Sequence, residues 1–123
     1  MMTFDYYVRE DGTCPFEEWA NRLPSKDRNK LLATIQKASE CGLAIALQQQ
    51  WIKKLDKVIW EVRSAFGSNI QRVLFFKENR EETYLITHGF TKKSQKTPRA
   101  EITRAHHIRH LFEKEATNAN KKL

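Results

Sequence analysis

Hydrophobic residues in the first third of the chain recur at spacings that predict one strand and two helices. Residues 4–8 have the composition of a strand, and Asp11-Gly12 signals the turn that ends it. Pro15 is suited to the first turn of a short helix, which Leu23-Pro24 ends. Apolar residues then repeat at helical spacing over residues 25–42. We therefore expect a helical hairpin that packs on a sheet.

The second half of the chain predicts three more strands and a final helix. Strand-like segments cover residues 58–64, 69–76 and 83–90, and their short connections favour antiparallel neighbours. The last helix begins near Thr97-Pro98, because proline fits a first helical turn and an apolar stripe follows it. Residues 43–57 leave the choice between helix and loop open.

These elements predict an α+β fold. A mainly antiparallel twisted sheet of about four strands is accompanied by an N-terminal helical hairpin and a C-terminal helix. At 123 residues the chain is long enough for one domain with one modest core. We assign that domain to residues 1–116 and interpret residues 117–123 as a polar, frayed tail.

The lack of a recognisable targeting signal and the small number of cysteines favour a cytoplasmic protein. The longest apolar run is far shorter than the roughly 20 residues of a membrane span, and no signal peptide is recognisable. Cys14 and Cys41 have neither the number nor the spacing of a disulfide framework or a metal site. His106 and His110 have the i, i+4 spacing of a metal pair but lack a third ligand. We expect no metal, no cofactor and no membrane partner.

The net charge of +7 is spread unevenly along the chain. Residues 1–50 carry six Lys and Arg against seven Asp and Glu, whereas residues 51–98 carry ten against five. Residues 99–123 carry six against three. A basic region beside a nearly neutral one indicates a face that meets a polyanion. The alternative is an ordinary surface excess that keeps the protein in solution.

Four sequence blocks carry a family resemblance. They are Phe16-Glu17-Glu18-Trp19 with Leu23-Pro24, Lys54-Leu55 with Trp60-Glu61-Val62-Arg63, the strand Gln71-Arg72-Val73-Leu74-Phe75-Phe76, and the segment THGFTKKSQKTPRAEI at residues 87–102. In the same order, they resemble the signature of the phage-derived HigB-like toxins, which belong with the RelE superfamily of type II toxin-antitoxin ribonucleases. The resemblance spans roughly residues 4–112.

The resemblance implies a toxin that cleaves mRNA in the ribosomal A site during translation and so arrests growth. It also implies a cognate helix-turn-helix antitoxin similar to HigA, whose complex with the toxin binds operator DNA. A noncatalytic basic module on the same fold, which binds nucleic acid or acts only as a corepressor, remains the alternative. A metal-dependent nuclease lacks support, because the sequence has no cluster of carboxylates.

RNA cleavage without a metal usually proceeds through attack of the 2′-hydroxyl on the adjacent phosphate. The enzyme must withdraw that proton, stabilise negative charge on the phosphorane and protonate the leaving 5′ oxygen. Preorganised cations serve the second task, and one well-placed donor is worth roughly 3 to 4 kcal/mol of barrier. The candidate catalytic residues are therefore Glu61, Arg63, Arg72, His88, Lys92 and Lys93.

Strand alternation places only some of these side chains. Glu61 and Arg63 fall on the face opposite Trp60, and the resemblance implies RNA contact for the arginine at position 63. Arg72 lies on a strand with two apolar faces, so a structural ion pair with Glu61 stays open. An unperturbed pKa near 6.5 would suit His88 to acid–base chemistry, and the alternative is a buried histidine bonded to backbone.

Basic and aromatic residues nearby are candidates for RNA binding, since cations pair with phosphates and aromatic rings stack on bases. These candidates are Lys53, Lys54, Lys57, Phe90, Lys96 and Arg99. Phe90 adjoins the lysine-rich segment, which favours stacking on a base, but a position in the core is the alternative.

Overall fold

The computed structural model describes the backbone of residues 1–121 and the side chains of residues 1–117. Within these residues the chain forms five strands and four helices. In chain order they are β1 (Thr3–Tyr6), α1 (Pro15–Ala20), α2 (Ser25–Cys41), α3 (Leu43–Gln48), β2 (Ile52–Lys54), β3 (Ile59–Phe66), β4 (Asn69–Lys77), β5 (Thr83–Lys92) and α4 (Arg99–Lys121). None of the described helices combines the length and the apolar character needed to cross a membrane.

The strands form one mixed sheet in the order β1-β5-β4-β3-β2. Neighbours from β2 to β5 are antiparallel, whereas β1 pairs with β5 in parallel, from Thr3 opposite Thr83 to Tyr6 opposite Ile86. The α+β class is confirmed, but the expected number of about four strands was too small. The three residues of β2 are too few to show an alternating pattern in the sequence.

The structure contains one more helix than the sequence predicted, and its last helix is longer. α1 and α2 form the predicted pair, and residues 43–48, whose state the sequence left open, form α3. Gly42 separates α2 from α3 with a φ of 90°, a conformation that favours glycine. α4 continues to Lys121, so its end does not coincide with the boundary predicted after Ala116. The last two residues of the predicted tail, 122 and 123, lie outside the described residues.

Both faces of the sheet are covered. Helices α1 to α3 pack on one face, where the buried residues include Phe16, Leu31, Val62, Val73, Phe75 and Ile86. Helix α4 packs on the other, where they include Ile59, Leu74, Phe76, Leu85, Ala105 and Ile108. This explains why β4 has two apolar faces in the sequence. Side chains on the α4 face therefore lie beneath a helix or at its ends.

A β-bulge in β5 decides which face His88 occupies. Phe75 pairs with Ile86 and Leu74 with His88, so Thr87 is the extra residue. Strict alternation would have placed His88 on the same face as Ile86, whereas the bulge moves it to the α4 face. On the opposite face, a Cβ at Gly89 would lie 2.2 Å from the Trp19 ring. Only glycine fits beneath that tryptophan.

Candidate functional site

The candidate site lies on the α4 face of the sheet, where three adjacent strands meet the segment that precedes α4. Arg63 on β3 pairs across the sheet with Arg72 on β4, and Arg72 pairs with Phe90 on β5. Glu61 and Arg63 lie on the face opposite Trp60, as alternation predicted. The segment before α4, residues 92–98, is called the lysine loop below, because it contains three of the candidate lysines.

Glu61 is fully buried at the centre of this site. Its Oε2 accepts a hydrogen bond of 2.6 Å from Nε of Arg63. The Thr97 hydroxyl lies 2.8 Å from its Oε1 and 3.0 Å from its Oε2, so one hydroxyl proton serves both oxygens. A buried carboxylate requires such partners, and here an arginine and the lysine loop supply them.

The lysine loop also contacts the arginines. Nη2 of Arg63 donates to the backbone carbonyl of Gln95 at 2.5 Å, and Nη1 lies 3.4 Å from the Gln95 side-chain oxygen. Nη1 of Arg72 donates to the Thr97 hydroxyl at 3.2 Å. Thr97 therefore connects Arg72 to Glu61. The structural ion pair considered from the sequence is replaced by this bridge, since the described residues include no direct Arg72–Glu61 salt bridge.

Arg72 has an unusual environment for a charged side chain. It is completely buried, yet its Nε and Nη2 have no hydrogen-bond partner among residues 1–117. These two N–H groups form one edge of the guanidinium, whose geometry matches two oxygens of a phosphate or carboxylate. Burial lowers the pKa of Arg72, and the positive charge of Arg63 lowers it further, while Glu61 acts in the opposite direction.

His88 is buried, and both of its ring nitrogens have neighbours. Nδ1 lies 3.0 Å from the Thr87 hydroxyl, and Nε2 lies 3.1 Å from Oε1 of Glu101 on α4. Burial lowers its pKa to about 3, with a smaller contribution from Arg104. The imidazole is therefore neutral near pH 7, and its contact with Glu101 is a hydrogen bond between a neutral ring and a carboxyl group. His88 is buried, as the alternative expected, but its partners are two side chains and not the backbone. A catalytic role stays a prediction.

The basic candidates lie at the rim of the site. Lys53, Lys54 and Arg63 line a cleft of about 690 Å³ together with Gln95. Lys96 and Arg99 line a second cleft, of about 500 Å³. The remaining three candidates, Lys57, Lys92 and Lys93, are exposed but line neither of these clefts in the described structure.

Phe90 is a correction to the sequence analysis. The residue is only 7% exposed and belongs to the core beneath α4, where its ring lies 6.1 Å from the His88 ring in a stacked arrangement. A ring packed in this way has no free face for a base. The expectation that Phe90 stacks on RNA was therefore wrong for this arrangement, and the alternative of a core position holds.

Sequence reasoning missed two residues that complete the site, Gln95 and Thr97. Both are uncharged polar residues next to lysines, and the prediction selected residues of this segment by their charge. Thr97 did carry a signal, because it directly precedes Pro98, and a residue before proline favours an extended conformation rather than a helix. That position directs it into the site just before α4 begins, and the residue is 6% exposed.

A second polar contact joins α4 to the segment before β3. Nε2 of His106 lies 2.7 Å from Oδ2 of Asp56, whose Oδ1 accepts from the amides of Val58 and Ile59. Burial acts to raise the pKa of Asp56, but the hydrogen bonds from His106 and from the two amides outweigh it and lower the pKa.

Across the described part of the chain, no three His, Cys, Asp or Glu side chains form a group that could hold a metal ion.

Residues 18–117 match the model of the family described as Phage derived protein Gp49-like (DUF891). The match covers more than three quarters of the chain and includes every side chain of the site described above. The chain belongs to this family. Gp49-like proteins belong to the RelE/HigB-like toxin superfamily and are related to the toxins of toxin-antitoxin systems. A search of curated proteins gave no match.

Proposed function

We propose that this Gp49-like chain is the toxin of a type II toxin-antitoxin system and that it cleaves mRNA without a metal ion. Membership of the family supports the toxin class. The observation that carries the cleavage proposal is the buried Arg72, whose Nε–Nη2 edge has no partner within the described residues and which pairs across the sheet with Arg63. Two adjacent guanidiniums with an available bidentate edge suit a phosphate group.

In the proposed reaction, Arg63 and Arg72 hold the phosphate that is cleaved. The RNA 2′ oxygen attacks phosphorus and its proton passes to a base. The bond to the 5′ oxygen breaks and that oxygen takes a proton from water, which leaves a 2′,3′-cyclic phosphate and a 5′-hydroxyl. The arginines stabilise the charge that accumulates on the phosphorane, and loss of either donor would raise the barrier by roughly 3 to 4 kcal/mol.

We propose Glu61 as the base. Its carboxylate lies within hydrogen-bond distance of Arg63 and of the loop hydroxyl that occupies the site, whereas both nitrogens of His88 are engaged by Thr87 and Glu101. A base must reach the proton that it abstracts, and geometry is the first requirement. A pKa of about 3 also makes His88 a poor general acid near pH 7, because almost none of it is protonated.

The rim cations extend the proposed site along an RNA strand. The cleft that contains Lys53 and Lys54 is also lined by Gln95 of the lysine loop, and the second cleft is lined by Lys96 of the same loop and by Arg99. Residues 51–98 carry ten basic against five acidic residues. We propose that these cations bind phosphates on both sides of the cleaved position, and that Lys92 and Lys93 attract RNA and the ribosome electrostatically.

The proposed partners follow from the likeness to phage-derived HigB-like toxins. They are mRNA in the ribosomal A site, which places the activity in the cytoplasm, and a helix-turn-helix antitoxin similar to HigA. The toxin would reach operator DNA only within the antitoxin complex. The second candidate is a noncatalytic basic module or corepressor. One observation favours it: Glu61 and Arg72 are fully buried while the lysines are exposed, so this arrangement presents a binding surface rather than catalytic groups.

Induced expression and an in vitro cleavage assay separate the two candidates. The toxin proposal expects growth arrest that ends when the neighbouring gene product is coexpressed. It also expects purified protein to cleave translated mRNA in excess EDTA and to leave 2′,3′-cyclic phosphate ends. Binding of RNA or operator complexes without arrest and without cleavage would select the noncatalytic module.

A further inference from the structure

Oxygens of the lysine loop occupy some, but not all, of the guanidinium donors of the candidate site. The Gln95 carbonyl accepts from Arg63 at 2.5 Å, and the Thr97 hydroxyl accepts from Arg72 and donates to Glu61. The Gln95 carbonyl thus takes the place at Arg63 that a phosphate oxygen would take, and the Thr97 hydroxyl fastens the loop beside it. The Nε and Nη2 groups of the same Arg72 are buried and have no acceptor in the described structure.

The lysine loop has few buried contacts that would prevent it from moving away from the site. Five consecutive residues, Lys92 to Lys96, are exposed, and Thr97 is the buried residue that attaches the loop to the site. Opening would break the hydrogen bonds of Gln95 and Thr97 but would expose little apolar surface. It would also hydrate Arg72 and Glu61, whose burial is costly. Segments that open locally have few buried apolar contacts, and this loop fits that description.

We propose that the lysine loop is a lid over a hidden oxyanion site, and that Thr97 is the residue that holds the lid closed. The site consists of the Nε–Nη2 edge of Arg72 and the Nη2 group of Arg63. Its ligand class, a phosphate group, rests on the proposed function. Because the closed lid competes with the ligand, the apparent dissociation constant is the intrinsic one divided by the fraction of open molecules. Any change that loosens the lid therefore tightens binding.

The first test observes the site in the wild-type protein by NMR. The Nε–H signal of Arg72, assigned by its disappearance in Arg72→Lys, is followed during titration with inorganic phosphate and with a hexanucleotide methylated at every 2′ oxygen. Methylation removes the attacking hydroxyl, so the probe stays intact. We expect the signal to move downfield as the edge gains an acceptor, while the Nε–H of Arg109, which pairs with Glu113, stays in place.

Each outcome of the titration has a meaning. A shift with inorganic phosphate supports a site for an isolated oxyanion, and a shift with the hexanucleotide alone supports a site for a phosphate within a chain. No shift with either ligand at saturation overturns the proposal. Failure of the proposed function is detected separately, because absence of RNA cleavage leaves these binding results unaffected.

The second test addresses the lid. Thr97→Val keeps the side-chain shape but removes the hydroxyl that bonds to both Glu61 and Arg72. Losing these bonds should raise affinity for the methylated hexanucleotide by about three- to tenfold. Thr3→Val, at an exposed position on the edge strand, is the control and should bind as the wild type does. Equal or weaker binding by Thr97→Val would show that the hydroxyl does not hold a competing lid.

Discussion

Replacing Arg72 with methionine should stabilise the fold while it abolishes the proposed activity. Each buried donor left without a partner costs about 1 to 3 kcal/mol, and more when it is charged. Arg72 has two such donors within the described residues, whereas its single bond to Thr97 contributes only about 0.5 to 1.5 kcal/mol. Methionine is flexible, fills a similar volume and leaves no buried charge. Glu61 keeps Arg63 as its cation at 2.6 Å.

The expected gain is about 1 to 3 kcal/mol in the free energy of unfolding, because removing an imperfectly satisfied buried charge is often stabilising. Urea unfolding should show a higher midpoint with an unchanged slope. Arg109→Met is the matched control, because Arg109 is partly exposed and pairs with Glu113 at 3.0 Å; its effect should stay within about 0.5 kcal/mol. An Arg72→Met protein less stable than the wild type by 1 kcal/mol or more would refute this account of Arg72.

Three further predictions test the site. Arg63→Ala should abolish growth arrest in a folded, soluble protein, since it removes phosphate stabilisation; a fully toxic variant would contradict the proposed role. Replacing Lys92, Lys93 and Lys96 with glutamine should weaken RNA binding and reduce the slope of log K against log salt by about 0.7 per lost contact; an unchanged slope in a salt series would show that they do not bind phosphate. Because the pKa of His88 is lowered to about 3 in the folded state, stability should fall as pH decreases from about 6.5 towards 3, by up to about 1.4 kcal/mol per pH unit; His88→Gln should remove this part of the loss in urea titrations at several pH values.

The sequence predicted the strands of the site and the final helix, but not the face of the sheet on which that helix packs. Period-two alternation correctly placed Glu61 and Arg63 on one face of β3. β4 carries apolar residues on both faces, which is the pattern of a strand buried from two sides. The final helix was predicted, yet nothing local says on which face it packs. If α4 had been assigned to the face that carries Glu61 and Arg63, the burial of Arg72 beneath it could have been predicted.

The bulge in β5 shows a different limit. Neither neighbour of Thr87 is a glycine, proline or asparagine that would indicate an irregular strand. Threonine is β-branched, and β-branched residues are common in regular strands. The extra residue is visible only through the pairing of Leu74 with His88 and of Phe75 with Ile86. The single extra residue Thr87 thus moves His88 and Phe90 to the other face of the sheet. A prediction that assumes regular alternation along β5 misses this change.

The buried charged groups on the α4 face lower the stability of the fold. Both faces bury polar side chains. Beneath α1 to α3, Gln71 donates to Asp27, whereas the face beneath α4 buries Glu61, His88 and Arg72, whose guanidinium is only partly satisfied within the described residues. A domain of this size is stable by only about 5 to 15 kcal/mol, so an imperfectly satisfied guanidinium is a large fraction of that margin. Apolar residues of the same volume would serve folding at least as well. Under the proposal above, opening of the lysine loop gives Glu61 and Arg72 a use that the closed fold alone does not, namely in a phosphate-binding site.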